Sequence, residues 1–292
     1  MDARLTIDPD LQSATLNADF PRVARKPGGG FLQFTRHKNG TVLQRRYAMN
    51  PLKLLQPRNH GCGAWVYAST YGGGLVGGDA IDVEIQVDAG ATGFYSSQSS
   101  TKVYRSASPA SQTLHASVAT GGVLIVAPDP LVCFAGAHFT QSQQFSLAAG
   151  ANLILVDMLT AGRVAMGERW AFSHYESRIS VQQDGQKILH DVLRLNPDEG
   201  VVVARLRRFN ALATIVLSGP QLAEYGAKIQ SALSAEPLQR NAELLCVASP
   251  LKNSGTLLRI LGTSVEQVGR KVHACLDFVP KLLGDNPWSR KF

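Results

Sequence analysis

From Phe31 onward, apolar and polar side chains alternate at period two over short stretches, which is the pattern of strands with one face on a core. Ile81-Asp-Val-Glu-Ile-Gln-Val87 is the clearest example. The same reading gives strands at Phe31–Arg36, Thr41–Tyr47, Trp65–Thr70, Gly93–Gln98, Lys102–Ser106, Gln112–Ala119, Val123–Ala127, Phe139–Leu147, Leu153–Met158, Tyr175–Gln182 and Gln186–Leu195. Most are bounded by Gly, Pro, Ser or Asn and recur at roughly ten-residue spacing, as in an all-β layered structure. Asn39-Gly40 and Asp184-Gly185 are two-residue hairpin signals. Asn50-Pro51 and Gln56-Pro57 break the chain, because the residue before proline avoids the helical region. The first thirty residues read as loosely organised, with Pro27-Gly-Gly-Gly30 as a loop.

Two segments near the C-terminus change period. Pro220–Ala235 repeats Leu222, Tyr225, Ile229 and Leu233 at helical spacing, with proline at an early position. Ser264–Val279 carries a capping box, Thr263-x-x-Glu266, and an apolar stripe through Val265, Val268, Val272, Cys275 or Leu276, and Val279. Glu243–Val247 and Thr256–Leu261 lie between them as strands. The expected fold is mostly β with an α+β tail: a large layered sheet body over about 30–215 and a helix–strand–strand–helix subdomain over about 216–284. No low-complexity linker divides them, so residues 1–292 read as one domain without an internal sequence repeat.

Composition supports a globular chain. Of its 292 residues, 45% are hydrophobic and 17% charged, enough apolar material for a substantial core. A net charge of +7 raises the question of nucleic acid. The basic residues are scattered, however, with no basic helical stripe and no aromatic-interleaved RNA motif, so no nucleic-acid partner is expected. The first ten residues lack the apolar core of a signal peptide, and no run reaches the ~18 apolar residues of a membrane span. Cys62, Cys133, Cys246 and Cys275 form no C-x-x-C pair and read as reduced thiols in a cytoplasm.

The densest chemical signal is a glycine loop, Tyr71-Gly-Gly-Gly-Leu-Val-Gly-Gly-Asp79. Gly72, Gly73, Gly74, Gly77 and Gly78 leave the backbone almost unconstrained. A phosphate loop would need a lysine where Asp79 stands, and a dinucleotide loop would need a helix where the Ile81 strand follows. Neither applies, and a tight backbone crossing fits instead. The seven histidines show no close ligand spacing. His60-Gly-Cys62 is the one near pair, a candidate transient site for a soft ion. Gln98-Ser-Ser-Thr-Lys-Val-Tyr-Arg105 is unusually polar for a strand and reads as an exposed hydroxyl face or a lined channel. Gly162-Arg-Val-Ala-Met-Gly-Glu-Arg-Trp170 reads either as a turn with exposed charges or as a paired network of Arg163, Glu168 and Arg169.

Taken together, Gly-Gly-Gly-Leu-Val-Gly-Gly-Asp79, Gln98-x-x-Thr101-Lys102-Val-Tyr104-Arg105, Pro128-Asp-Pro130 and Ala161-Gly-Arg-x-Ala-Met-Gly-Glu168 resemble the urease accessory protein UreD (UreH) family, in order and spacing over roughly residues 30–210. The two-helix tail matches more loosely, and the ending Asn286-Pro-Trp-Ser-Arg-Lys-Phe292 only approximates the family's finish. The resemblance implies a mostly β, non-enzymatic scaffold that binds apo-urease, recruits UreF and, through UreF, the GTPase UreG, and supports nickel insertion. It implies no tightly bound cofactor, only nickel(II) in transit along an internal polar route. Asp79, Asp129 and Glu168 are the candidates to line that route. Thr101, Lys102, Tyr104, Arg105 and Arg163 are supporting polar groups, Lys102 and Arg105 acting as counter-charges. The competing reading is a β-rich enzyme acting on a polar small molecule or sugar. It would use Asp79 and Glu168 as an acid/base pair about 5–10 Å apart.

Overall fold

The computed structural model describes residues 26–237 and 239–290. The expectations for the first 25 residues, and for Lys291 and Phe292 at the tail, lie outside the described residues. Strands are numbered in chain order. A seven-stranded sheet contains β1 (Gly29–His37), β2 (Gly40–Ala48), β5 (Ala80–Val87), β8 (Ala110–Val118), β11 (His138–Leu147), β13 (His174–Gln183) and β14 (Gln186–Leu195), in the order β14-β13-β11-β8-β5-β1-β2. A ten-stranded sheet contains β3 (Leu52–Leu55), β4 (Ala64–Thr70), β6 (Thr92–Ser97), β7 (Thr101–Val103), β9 (Val123–Val126), β10 (Leu131–Cys133), β12 (Asn152–Thr160), β15 (Ala211–Ser218), β16 (Leu244–Pro250) and β17 (Thr256–Gly262). Gly29 and Gly30, read above as loop, belong to β1, where Gly30 pairs with Ala48.

The chain winds between the two sheets as a flattened coil. It passes from β5 to β6, then β8, β9, β11, β12 and β13, changing sheet between each pair. Successive strands within each sheet are parallel neighbours. Three corners of the coil stack on one another. Each is a turn closed by a backbone hydrogen bond: Ala91 N to Asp88 O at 3.0 Å, Gly122 N to Ala119 O at 2.9 Å and Ala151 N to Ala148 O at 3.0 Å. The third position of each turn is a glycine at positive φ (Gly90 65°, Gly121 70°, Gly150 74°), which a side chain with a Cβ rarely adopts. The corners therefore share a Gly-Ala or Gly-Gly pair, a repeat too short to stand out in sequence.

The two sheets are buried differently, and their sequences show why. The seven-stranded sheet covers a core on one face only, so its strands alternate, as in the burial of β5. The ten-stranded sheet is covered on both faces, by the first sheet and by helices α2 (Ala223–Ala235), α3 (Val265–Cys275) and α4 (Val279–Leu283). Its central strand β9 is accordingly apolar throughout: Val123-Leu-Ile-Val126 is buried at all four positions. The same property hid β15, whose Ala-Leu-Ala-Thr-Ile-Val-Leu-Ser has no alternation to read. β3, β10 and the five-residue helix α1 (Val202–Leu206) were too short to register.

The tail forms the elements its periodicity predicts, with shifted ends. The α2 helix starts at Ala223, not Pro220. The expected long last helix ends at Cys275, and α4 begins at Val279 with Pro280 in its first turn. The cap of α3 is Ser264, whose hydroxyl accepts from the Gln267 N–H at 3.2 Å. The cap is thus one residue later than the expected Thr263, and no reciprocal box forms with Gln267, whose side chain accepts from Thr263 Oγ1 and donates to Glu243. The stripe Val268, Val272, Cys275, Leu276 and Val279 is buried against the sheet, as its spacing requires.

Candidate functional site

Most of the space between the sheets is apolar, but one cross-strand row is not. Gln112 of β8, Gln141 of β11 and Ser177 of β13 stand in register on the inward face of the seven-stranded sheet. Opposite them, Asp157 sits in β12 within the run Asn-Leu-Ile-Leu-Val-Asp-Met-Leu-Thr. Gln141 donates from Nε2 to Asp157 Oδ1 at 2.8 Å, and Ser177 Oγ donates to Asp157 Oδ2 at 2.9 Å. Gln112, Gln141 and Asp157 border a cavity of about 90 Å³ that is also lined by Ser96, Ser97, Thr101, Asp129 and Gln143, with Ser177 behind Asp157. A water molecule needs only about 10–15 Å³ measured in this way, so the space holds several. Tyr95 lines the same cavity, and its buried hydroxyl has no hydrogen-bond partner among the described residues.

Asp157 pays an electrostatic cost for its position. It is enclosed by protein apart from its face on the cavity, and burial raises its pKa above the ordinary carboxylate value. The hydrogen bonds from Gln141 and Ser177 oppose that shift, and the charge of Asp191 adds to it. The polar row continues beyond the cavity. Asp157 is paired in register with Thr214 of β15, and Thr214 with Arg259 of β17. Arg259 Nη2 lies 2.5 Å from Asp191 Oδ1 of the edge strand β14, tying that edge to β17 of the other sheet.

The structure divides the residues singled out in sequence into three groups. Gly73, Gly74, Thr101 and Asp129 line the cavity. The backbone N–H of Asp129 donates to Ser97 Oγ at 2.8 Å, which fixes the turn after β9 at the cavity wall. Asp79 does not line it. Its Oδ2 accepts from the Val76 N–H at 2.9 Å and closes the glycine loop on itself. That loop crosses β7, with Leu75 N donating to Lys102 O at 2.8 Å and Tyr104 N donating to Leu75 O at 2.9 Å. Gly72 and Gly73 have positive φ of 77° and 70°. Gly77 is needed for a different reason: a Cβ there would meet Ser106 Oγ at 1.8 Å. The exposed Lys102 contributes its backbone to this crossing.

The second group lies around the loop after β12. Glu168 accepts from Arg163 Nε at 2.9 Å and from the Ala135 N–H at 3.1 Å. The Arg163 hydrogen bond, followed by that of Ala135, holds its carboxyl below the usual carboxylate range. Arg163 in turn covers the Phe134 ring at 4.1 Å, and Phe134 meets Tyr104 edge-on at 5.1 Å. Arg105 packs beside Gly136. Arg169 leaves this cluster and donates to Phe209 O at 3.1 Å and Asn210 Oδ1 at 2.5 Å. Of the two readings of this segment, a turn with exposed charges or a three-residue network, the structure shows something between: an Arg163–Glu168 pair plus an arginine that anchors a separate loop. Glu168, like Asp79, is absent from the cavity wall, so the two carboxylates do not share that pocket.

The third group is His60 and Cys62. The Cys62 thiol lies 3.4 Å from Leu282 O, its N–H donates to Leu283 O at 2.8 Å, and the His60 N–H donates to Asp285 Oδ2 at 2.8 Å. This loop docks the end of α4. Among the described residues no three His, Cys, Asp or Glu side chains gather closely enough to hold a metal ion. Sequence reading missed Asp157, Gln141 and Ser177. The available signal was a lone carboxylate inside an apolar strand.

A coiled, two-sheet scaffold with a polar, carboxylate-bearing interior is the class of protein that these features define. A sequence model described as UreD urease accessory protein matches residues 26–291. The chain is 46% identical to urease accessory protein UreD of Sorangium cellulosum (strain So ce56) over 93% of this chain and 86% of that protein. It is 42% identical to UreD of Anaeromyxobacter sp. (strain Fw109-5), over 94% and 93% of the two chains. It is 31% identical to urease accessory protein D of Arabidopsis thaliana, over 83% and 93%. The chain belongs to the UreD family of urease accessory proteins, and its role is in urease maturation, not catalysis. No helix among the described residues is long and apolar enough to cross a membrane.

Proposed function

We propose that this chain is the scaffold on which nickel(II) reaches apo-urease, and that it bridges urease to UreF and, through UreF, to the GTPase UreG in the cytoplasm. The ion is cargo and passes through the polar space between the sheets. The observation that carries this reading is the Asp157–Gln141–Ser177 cluster beside Asp129 in an otherwise apolar interior. Nickel(II) accepts carboxylate oxygens. Two carboxylates with hydroxyl and amide neighbours bind such an ion weakly enough to release it, which a closed cage of cysteines and histidines would not. Asp129 and Asp157 are the passage residues in this reading. Asp79 and Glu168 act indirectly, by fixing the glycine loop and the loop after β12. The four cysteines are free thiols, in keeping with a reducing compartment.

Co-expression with urease, UreF and UreG, followed by capture through this chain, tests the scaffold. All partners are expected in the eluate, with UreG lost when UreF is omitted. Capture of UreG without UreF, or no capture of urease, would contradict the bridging order. Asp129→Asn is expected to leave the complex intact while reducing urease activity in cells.

A further inference from the structure

The fold pairs two histidines that lie 36 residues apart in sequence, His138 and His174. Each opens a strand, β11 and β13, and the parallel register sets them directly side by side. Phe139 and Tyr175, the next residues along, are buried in the core. Alternation therefore places both imidazoles on the outer face of the seven-stranded sheet, away from the cavity. The backbone beneath them is pinned: the N–H groups of Ser173 and His174 both donate to Ala137 O, at 2.8 Å and 3.2 Å.

The ring centres are 4.6 Å apart and the planes are inclined by 35°. In-register neighbours on adjacent strands stand about 4.8 Å apart, and at that spacing two imidazoles can reach one ion with metal–nitrogen bonds of about 2.1 Å. We propose that His138 and His174 form a two-imidazole site for a divalent cation of borderline softness such as nickel(II) or copper(II), with water completing the shell. Burial, and then the neighbouring His138, lowers the pKa of His174, which favours the neutral form that a metal requires. Glu176 lies on the same face but is taken up by Arg178 Nε at 2.5 Å and Arg194 Nε at 2.7 Å, so it supplies no third ligand. Binding through two imidazoles is exchangeable, which suits an ion being handed on better than a structural ion. The site faces outward and does not depend on the passage between the sheets.

Titration of the untagged full chain with nickel(II), by calorimetry, tests the site against His138→Ala, His174→Ala and Asp157→Asn. Each histidine variant is expected to weaken one binding event by about tenfold or more, as loss of a ligand does. Asp157→Asn is expected to leave that event unchanged, which separates this site from the passage. Copper(II) bound to the parent chain should show paramagnetic coupling to two imidazole nitrogens, lost in either histidine variant. Identical nickel titrations for parent and both histidine variants would overturn the proposal. So would a parent copper(II) spectrum without imidazole coupling.

Discussion

Two cross-strand rows of the seven-stranded sheet, four residues apart on the same inward face, differ in almost every physical respect. Ile85, Ala116, Phe145 and Val181 are in register across β5, β8, β11 and β13, and all are buried and apolar. Ile81, Gln112, Gln141 and Ser177 are in register across the same strands, and three of the four are polar. The dry row needs only shape to be stable. The wet row must satisfy amides, a hydroxyl and an opposing carboxylate, and it leaves space beside them. Apolar residues of similar volume would often fill such a site at no loss of stability. A fold that packs its first row so fully, yet keeps the second open, retains the polar row for what it does.

The sharpest way to break this contrast is to damage the dry row. Phe145→Ala is expected to cost about 3–5 kcal/mol in urea unfolding, because a fully buried ring leaves a cavity. A loss below about 1 kcal/mol, the cost of a minor core change, would show that the row is not tightly packed. Next is the loop whose Gly73, Gly74 and Leu75 close the wet end. Gly77→Val is expected to cost about 1–3 kcal/mol by overpacking against Ser106 and Ser108, and Gly77→Ala should already destabilise. Unchanged melting of Gly77→Ala would contradict the close approach.

A smaller effect, opposite in sign, is expected in the wet row. The folded-state pKa of Asp157 is raised, so the folded state holds its proton more firmly than the unfolded chain. Its contribution to stability is therefore present below the ordinary carboxylate pKa and is lost as pH rises through the raised value. Asp157→Asn should flatten that decline and melt no lower than the parent at neutral pH. A variant that melts lower at pH 7 than at pH 4, relative to the parent, would reverse the assignment. The smallest change is expected at the surface: Arg163→Ala removes an exposed pair and should barely move the urea midpoint.

The fold was more legible than the site. Alternation exposed the seven-stranded sheet because each strand has one wet face, as in Ile81-Asp-Val-Glu-Ile-Gln-Val87. It failed at β15, which is buried on both faces and so reads as a featureless apolar run. The motifs identified the family, and of the three candidate carboxylates Asp129 is the one that lines the cavity. Asp79 and Glu168 were plausible because loop carboxylates can face a pocket, but both are instead bonded to nearby groups, Val76 in one case and Arg163 with Ala135 in the other. The polar row was illegible because Gln112, Gln141 and Ser177 meet only through strand register and Asp157 only through the packing of the second sheet on the first, which no local pattern encodes. The His138–His174 pair was hidden for the same reason.

The nickel content of urease matured in cells carrying Asp157→Asn tests the central claim most directly. The variant should fold, capture urease and its partner proteins as the parent does, and yield urease depleted in nickel. Urease with a full nickel complement, made on a folded and partner-bound Asp157→Asn chain, would show that the polar row is not the route.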